Sequence, residues 1–361
     1  MADDVVFHRL RKHLDNQAVG FPATESGAEI PLLKKLFTPD EARLALNLSY
    51  KPTPTDVIAR AAASEFSPEQ VEALLDSMQA RGSIGWKRKQ GTSYWWVLPL
   101  VIGMYEGRDG RIDPDFEASA DAYFQTGDFG KAFVAARPSQ MRTIPVDMSI
   151  SVEHHAASYD QIREIVDAAR GPFLVLPCIC RSKAAWQGKP CKKTSRLETC
   201  LGFGDAAAMV LRRKQGREIA KAEVVSILRL NQDDGLVLQP SNAQNPSFIC
   251  SCCGCCCGLL GIQKRLTRPV EFWTTSFHAA VDGTACKGCG KCMQRCQVNA
   301  VSLAGIPKRA EVDLNRCIGC GLCVPACESR AIQLKKNQPQ TVLPADEEEL
   351  YDRIKARRTY V

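Results

Sequence analysis

Eight cysteines towards the end of the chain repeat one spacing twice. Cys286-x2-Cys289-x2-Cys292-x3-Cys296 recurs 31 positions later as Cys317-x2-Cys320-x2-Cys323-x3-Cys327. Three thiolates two residues apart wrap a turn around one cubane, and the fourth, three residues on, is carried to the cluster of the other copy. The spacing therefore predicts two 4Fe–4S clusters with crossed ligands. One takes Cys286, Cys289, Cys292 and Cys327, and the other takes Cys317, Cys320, Cys323 and Cys296. The repeat extends beyond the cysteines: Val281-Asp282 and Val312-Asp313 precede each run, and Ala300-Val301-x-Leu303 and Ala331-Ile332-x-Leu334 follow it. Each copy reads as strand, cluster loop, helical turn and strand. Gly288, Gly290, Gly319 and Gly321 sit where a backbone bent around a cluster needs positive φ. A zinc site or disulfides would not explain so specific a ligand run.

On these residues, the segment from about 281 to 334 resembles the bacterial-type dicluster ferredoxin domain. One departure is visible. The fourth cysteine of that family is usually followed by proline, whereas here Gln297 follows Cys296 and Glu328 follows Cys327. Loss of the proline is expected to relax a turn and open the cluster edge to water while keeping every ligand.

The rest of the composition is that of an ordinary globular chain: 361 residues, 45% hydrophobic and 24% charged, enough for two or three domains. Its 18 cysteines follow an acidic start, Met1-Ala2-Asp3-Asp4, with no secretory pattern, so reduced, metal-bound thiols in a cytoplasm are expected. The longest largely apolar stretch, Tyr94 to Tyr105, falls short of the roughly 20 residues that a membrane helix needs, and no membrane span is expected. The net charge of +7 is unevenly spread, with 12 Lys+Arg against 12 Asp+Glu in residues 1–100 but 15 against 7 in residues 171–275. The expected partner is a redox protein with an acidic docking surface that meets the middle of the chain.

An α+β chain in five parts is expected. Residues 1–105 form a winged-helix-like domain, 106–170 a helical connecting region, 171–275 a central α/β cysteine-rich module, 276–336 the dicluster domain and 337–361 a charged tail. Thr38-Pro39-Asp40-Glu41 has capping-box spacing and opens a helix to about Leu48, a second runs from Thr55 to Ala63, and Ser67-Pro68-Glu69-Gln70 opens a third that Gly82 ends. Ile84 to Arg88, a turn at Gln90-Gly91 and Ser93 to Val97 complete a hairpin. Three helices and a hairpin resemble a winged helix. The outer face expected on the third helix is Glu69, Gln70, Glu72, Asp76 and Gln79, which phosphate repels, so nucleic acid is not the expected partner. Arg137 to Met148 carries prolines and few apolar anchors and is expected to run over the surface. Adjacent His154 and His155 cannot face one side and are not expected to be ligands. Asp346 to Arg358 reads as a solvated helix or tail.

The middle of the chain carries the other ten cysteines. Cys178-x-Cys180-Arg181 follows an apolar strand, Phe173 to Leu176, with Cys191 and Cys200 further on; Cys250, Cys252, Cys253, Cys255, Cys256 and Cys257 crowd into eight positions. Nearby cations, Arg181, Lys183, Lys189, Lys192 and Lys193, would offset thiolate charge. Cys178, Cys180, Cys191 and Cys200 are expected to make one metal site, with zinc as the rival although its usual C-x2-C knuckle is missing, and the six-cysteine run at least one cluster that can share ligands with it, for one or two further 4Fe–4S clusters in all. Cys178-Ile-Cys180-Arg181, Cys200-Leu-Gly-Phe-Gly204, Ile249 to Gly258 and the dicluster end together resemble large ferredoxin-type proteins of anaerobic bacteria, over about 171 to 334. That resemblance implies iron–sulfur electron transfer. Gly202-x-Gly204-x-x-Ala207 mimics a dinucleotide fingerprint but lacks its βαβ setting, and Asp205 to Arg213 is expected to be a packing helix. No acid/base or nucleophile constellation is present, so no catalytic residues are expected. The leading expectation is an electron carrier serving a partner oxidoreductase. The alternatives are an iron–sulfur subunit of a larger oxidoreductase complex, or a redox-sensing winged-helix regulator.

Overall fold

The computed structural model describes residues 2–108, 113–150, 157–338 and 342–358. His154 and His155 lie outside them. The fold is α+β and divides into two compact units: Met1–Arg137 with Asp205–Gly216 and Tyr351–Val361, and Pro138–Gly204 with Arg217–Leu350. No helix among the described residues is long and apolar enough to cross a membrane.

In the first unit, helices Ala2–Asp15, Glu29–Leu36, Pro39–Ala45, Thr55–Ala61 and Pro68–Arg81 enclose an apolar core in which Leu10, Leu32, Leu33, Leu36 and Leu44 are fully buried. Both expected capping boxes form, Thr38 with Glu41 and Ser67 with Gln70, and Gly82 ends the long helix at φ +82. The helix from Thr38 stops at Ala45, short of Leu48. Strands Ile84–Lys89 and Thr92–Val97 pair through a turn at Gln90 and Gly91, both at positive φ, and Thr53–Pro54 adds the third strand. One side chain departs from expectation. Gln79 is buried, donating 2.9 Å to the Met209 carbonyl, and neighbouring Asp76 pairs with Arg212 at 2.7 Å. Helix Gly204–Arg212 supplies both partners, so part of the face read as solvent-exposed is covered. Arg212 also lies over the Trp86 and Trp95 rings, 4.5 and 5.3 Å from their centroids. The C-terminal helix Glu347–Arg357 is not simply solvated: Leu350 and Ile354 are buried, and Asp352 accepts from Tyr50 at 2.8 Å.

The second unit is built on a five-stranded sheet in the order Arg217–Ile219, Phe173–Pro177, Glu198–Phe203, Phe248–Cys252, Val237–Pro240. Every pairing is antiparallel, where the expected α/β module would carry parallel strands. Helices Ile162–Ala168 and Lys221–Asp233 bury Ile162, Ile165, Val224 and Ile227 with Val175, Leu201 and Ile249 of the sheet. In the ferredoxin-type part, strand Phe277–Val281 pairs with Ile332–Lys336, and Val301–Ala304 with Arg309–Val312. The outer strands of the two repeats thus close on each other, as do the inner ones.

The stretch Arg137 to Met148 proves to be interior. Met141, Ile144 and Val146 are buried. Their backbone needs are met inside the unit, Ile144 donating to Leu238 and Val146 to Cys320, while Arg142–Thr143 pairs with Thr274–Thr275. Arg142 itself is buried and makes a 2.8 Å ion pair with equally buried Asp160. Removing one partner of such a pair strands the other charge and costs about 3–5 kcal/mol, whereas removing both costs much less. Asp160→Ala should therefore destabilise the protein by about that amount in chemical denaturation, and Arg142→Met with Asp160→Leu should recover most of the loss. Equal costs for the single and double variants would mean that the charge pairing does not matter.

Candidate metal centres

Cys286, Cys289, Cys292 and Cys327 line one cavity of about 310 Å³, open solvent included, together with Lys287, Lys291, Leu303 and Ile332. The second copy of the repeat gathers Cys317, Cys320 and Cys323 with Cys296, whose charges act on one another. Symmetry governs the sulfur hydrogen bonds. Ala310 N–H donates to Cys286 Sγ at 3.4 Å, and its counterpart 31 residues earlier, Ala279 N–H, donates to Cys317 Sγ at 3.3 Å. Each copy supplies a strand amide to the other's first thiol. Gly288 and Gly319 hold φ +65; a Cβ there would fall 2.3 Å from Lys308 O and 2.1 Å from Phe277 O. The loops can close around these spaces only with glycine.

The two quartets differ in setting. Cys289 is exposed, and the amides of Ala310 and Gly288 draw the Cys286 thiol below its ordinary range. Burial pushes Cys320 up to about 12 and raises Cys323 as well, against fully buried Ile318 and Leu322. A thiol held that high without a cation stays protonated, so this space suits a soft metal that displaces the proton.

The ten central cysteines do not follow the grouping expected from sequence. Six are neighbours whose thiols act on one another in a closed order, here called the ring: Cys178, Cys180, Cys257, Cys252, Cys250, Cys200 and back to Cys178. The sheet builds most of it. Cys250 and Cys252 are two apart on strand Phe248–Cys252 and share a face, and Cys200 lies on the adjacent strand. Cys178 and Cys180 sit where strand Phe173–Pro177 turns into helix Ile179–Trp186, and Cys257 caps helix Gly258–Arg265. The neighbouring thiols lower Cys178, Cys250 and Cys257 and raise Cys180, Cys200 and Cys252, so the six do not ionise alike.

The other four, Cys191, Cys253, Cys255 and Cys256, have sulfurs that all lie within 4.8 Å of one another. Cys191 is 3.5 Å from Cys253 and 3.7 Å from Cys255, which is 3.7 Å from Cys256. Burial opposes ionisation of Cys191, but the amides of Lys193 and Thr194 outweigh it and bring that thiol down to about 6. Thus the crowded run 250–257 is split between two groups, and Cys191 leaves the cysteines nearest it in sequence. Alternation along a strand hinted at the split; the long-range partner of Cys191 had no sequence signal.

Three residues named in the sequence gain contacts that the sequence did not show. Arg181 is buried, donates to Thr199 Oγ1 at 2.7 Å and to the Arg196 and Ser251 carbonyls, and interacts with Cys178, Cys191 and Cys253. A fixed cation therefore stands beside both thiol groups. The two residues in place of proline also have partners. Gln297 is buried, its Oε1 accepting from Gly254 N–H at 2.9 Å and its Nε2 donating to Gly235 O at 3.1 Å. Glu328 pairs with Lys291 at the exposed edge of the first quartet. At position 297, the expected opening to water is replaced by a buried amide that joins the dicluster loop to the central cysteine turn.

Residues 278–328 match the family model of a 4Fe-4S dicluster domain. The comparison with curated proteins finds no match. A 4Fe–4S dicluster domain and a grouped set of cysteines define the class: they point to iron–sulfur electron transfer.

Gln297 offers a direct test of the joint. Gln297→Pro, the residue usual after the fourth cysteine, removes the side-chain bonds and leaves the half-buried Gly254 amide without its partner. The cost should be about 1–3 kcal/mol by chemical denaturation, with the eight C-terminal ligands retained. A neutral substitution would show that the amide is not a joint.

Proposed function

We propose that the chain is a multi-cluster electron carrier that relays single electrons to or from a partner oxidoreductase. The observation that carries this reading is that two four-thiol sets and the six-thiol ring contribute to one continuous core, in which Cys252, Cys257, Cys286, Cys292, Cys317 and Cys323 pack with Val146, Val237 and Phe277. Cys286, Cys289, Cys292 and Cys327 would hold one 4Fe–4S cluster, Cys317, Cys320, Cys323 and Cys296 a second, and the ring a third. Such clusters supply one-electron chemistry when bound. The chain's own part is to offer soft donors, to aim amides at sulfur, to exclude water from the second quartet and to keep Arg181 beside the thiolates. A low-dielectric setting and fixed N–H groups tune a potential without reorganising.

Cations outnumber acids in the central stretch by 15 to 7, which supports a partner with an acidic docking surface. The order helix, strand, helix, helix, hairpin in residues 39–97 supports a winged-helix reading of the first part of the chain. Its third helix carries Asp76 bound to Arg212 and a buried Gln79, which favours protein contact over DNA. The reading keeps the five-part division of the chain and a cytoplasmic setting. Membership in a larger complex is the second reading, because the carrier needs a partner to act.

Two measurements test the proposal. Anaerobically purified protein should hold about 12 irons matched by acid-labile sulfide, become paramagnetic on reduction by a strong low-potential donor, and ignore duplex DNA at any salt concentration. A count of only about eight irons would remove the central cluster and leave the dicluster domain intact, whereas salt-dependent DNA binding that is lost on oxidation would sink the carrier reading. Ligand crossing is tested separately by electron paramagnetic resonance. Cys327→Ser should alter the same signal as Cys286→Ser, and Cys296→Ser the same signal as Cys317→Ser; the reverse pairing would overturn the crossed sets.

A further inference from the structure

The tight group of four thiols has the dimensions of a different kind of centre. We propose that Cys191, Cys253, Cys255 and Cys256 bind one tetrahedral thiophilic divalent ion, zinc or ferrous iron, and do not bind a cubane. The proposal stands on thiol geometry alone and does not depend on the electron-carrier reading.

Size decides between the two. Four sulfurs bonded to one ion at about 2.3 Å in a tetrahedron lie about 3.8 Å from one another. A cubane bonds each thiolate to a different iron, which spreads the sulfurs to roughly 6 Å. The spacings here are 3.5, 3.7 and 3.7 Å, and all four sulfurs fall within 4.8 Å. The chain supplies its own comparison. Among the described residues, no other group of three or more cysteine, histidine or carboxylate ligand atoms draws together that closely, the C-terminal quartets and the ring included.

The backbone is shaped for this contraction. Three of the four ligands sit on the turn between strand Phe248–Cys252 and helix Gly258–Arg265, and the fourth arrives from the segment after helix Ile179–Trp186. Gly254 lets the turn pass close to the dicluster loop, since a Cβ there would lie 2.2 Å from Gln297 O. Lys193 N–H donates to Cys191 Sγ at 3.4 Å and buried Arg181 interacts with Cys191 and Cys253. These partners answer the charge of four thiolates on one divalent ion, a net −2 after the four thiol protons leave. Four protein ligands leave no open position, the pattern of a structural ion. Its role would be to pin the turn whose two ends, Cys252 and Cys257, complete the ring.

The test uses the full chain purified anaerobically. Zinc, iron and acid-labile sulfide are measured per chain, with zinc-edge X-ray absorption or iron Mössbauer spectroscopy on the same sample. The expected result is one ion per chain beyond the iron that sulfide matches, in a shell of four sulfurs with no metal neighbour. In Cys255→Ser, altered at an exposed ligand, that ion should fall several-fold with sulfide unchanged; in Cys250→Ser, iron and sulfide should fall together and the single ion stay. Loss of about four sulfides in Cys255→Ser would assign a cubane to this group and overturn the proposal. So would wild-type protein whose metal is wholly matched by sulfide, a result that stands even if the variants fail to fold. The sulfide-matched iron tests the carrier reading, and the unmatched ion tests this one.

Discussion

Bringing soft, ionisable sulfur into a buried space is the constraint on which the second unit depends. Thiolates repel, and burial penalises each charge, so the chain must answer with N–H donors, a cation or a bound metal. Each device appears where the sulfur needs it. Strand amides of Ala279 and Ala310 reach across the repeat to Cys317 and Cys286, the loop glycines free further amides, and Arg181 stands beside the central thiols.

That constraint explains why residues with no obvious task are buried and polar. Gln297 spends its amide on Gly254 and Gly235, so the cysteine turn and the dicluster loop hold one geometry. Arg142 and Asp160 form their buried ion pair where a segment with few apolar residues is threaded through the interior beside the edge strand Val237–Pro240. An apolar pair would pack there as well, since the backbone along this path finds its partners in Leu238, Cys320 and the strand Thr274–Thr275. Charge near the first quartet is moderated in the same way. Lys291, which would favour a more negative centre, already carries Glu328 as its counter-ion.

Much of this was legible in the sequence. The duplicated cysteine run, the capping boxes at Thr38 and Ser67, the stop at Gly82 and the hairpin turn at Gln90-Gly91 are local signals, and each element stands close to where its signal lies. The misreadings were of burial, of strand direction in the central sheet and of which thiols meet. Gln79 and the Arg137 to Met148 segment looked exposed because polar residues and prolines usually are, and each meets a partner distant in sequence.

The sequence by itself determined the donor chemistry and the turns that present it, because ligand spacing within a loop and the φ preference of glycine act over a few residues. Tertiary structure alone decided which thiols meet. Cys191 joins Cys253 from 62 positions away, and Cys178 and Cys200 join Cys250 through strand order in an antiparallel sheet. Strand order and register depend on the packing of the whole unit, and a one-residue slip would turn the strand cysteines to the opposite face. No local spacing carries that information.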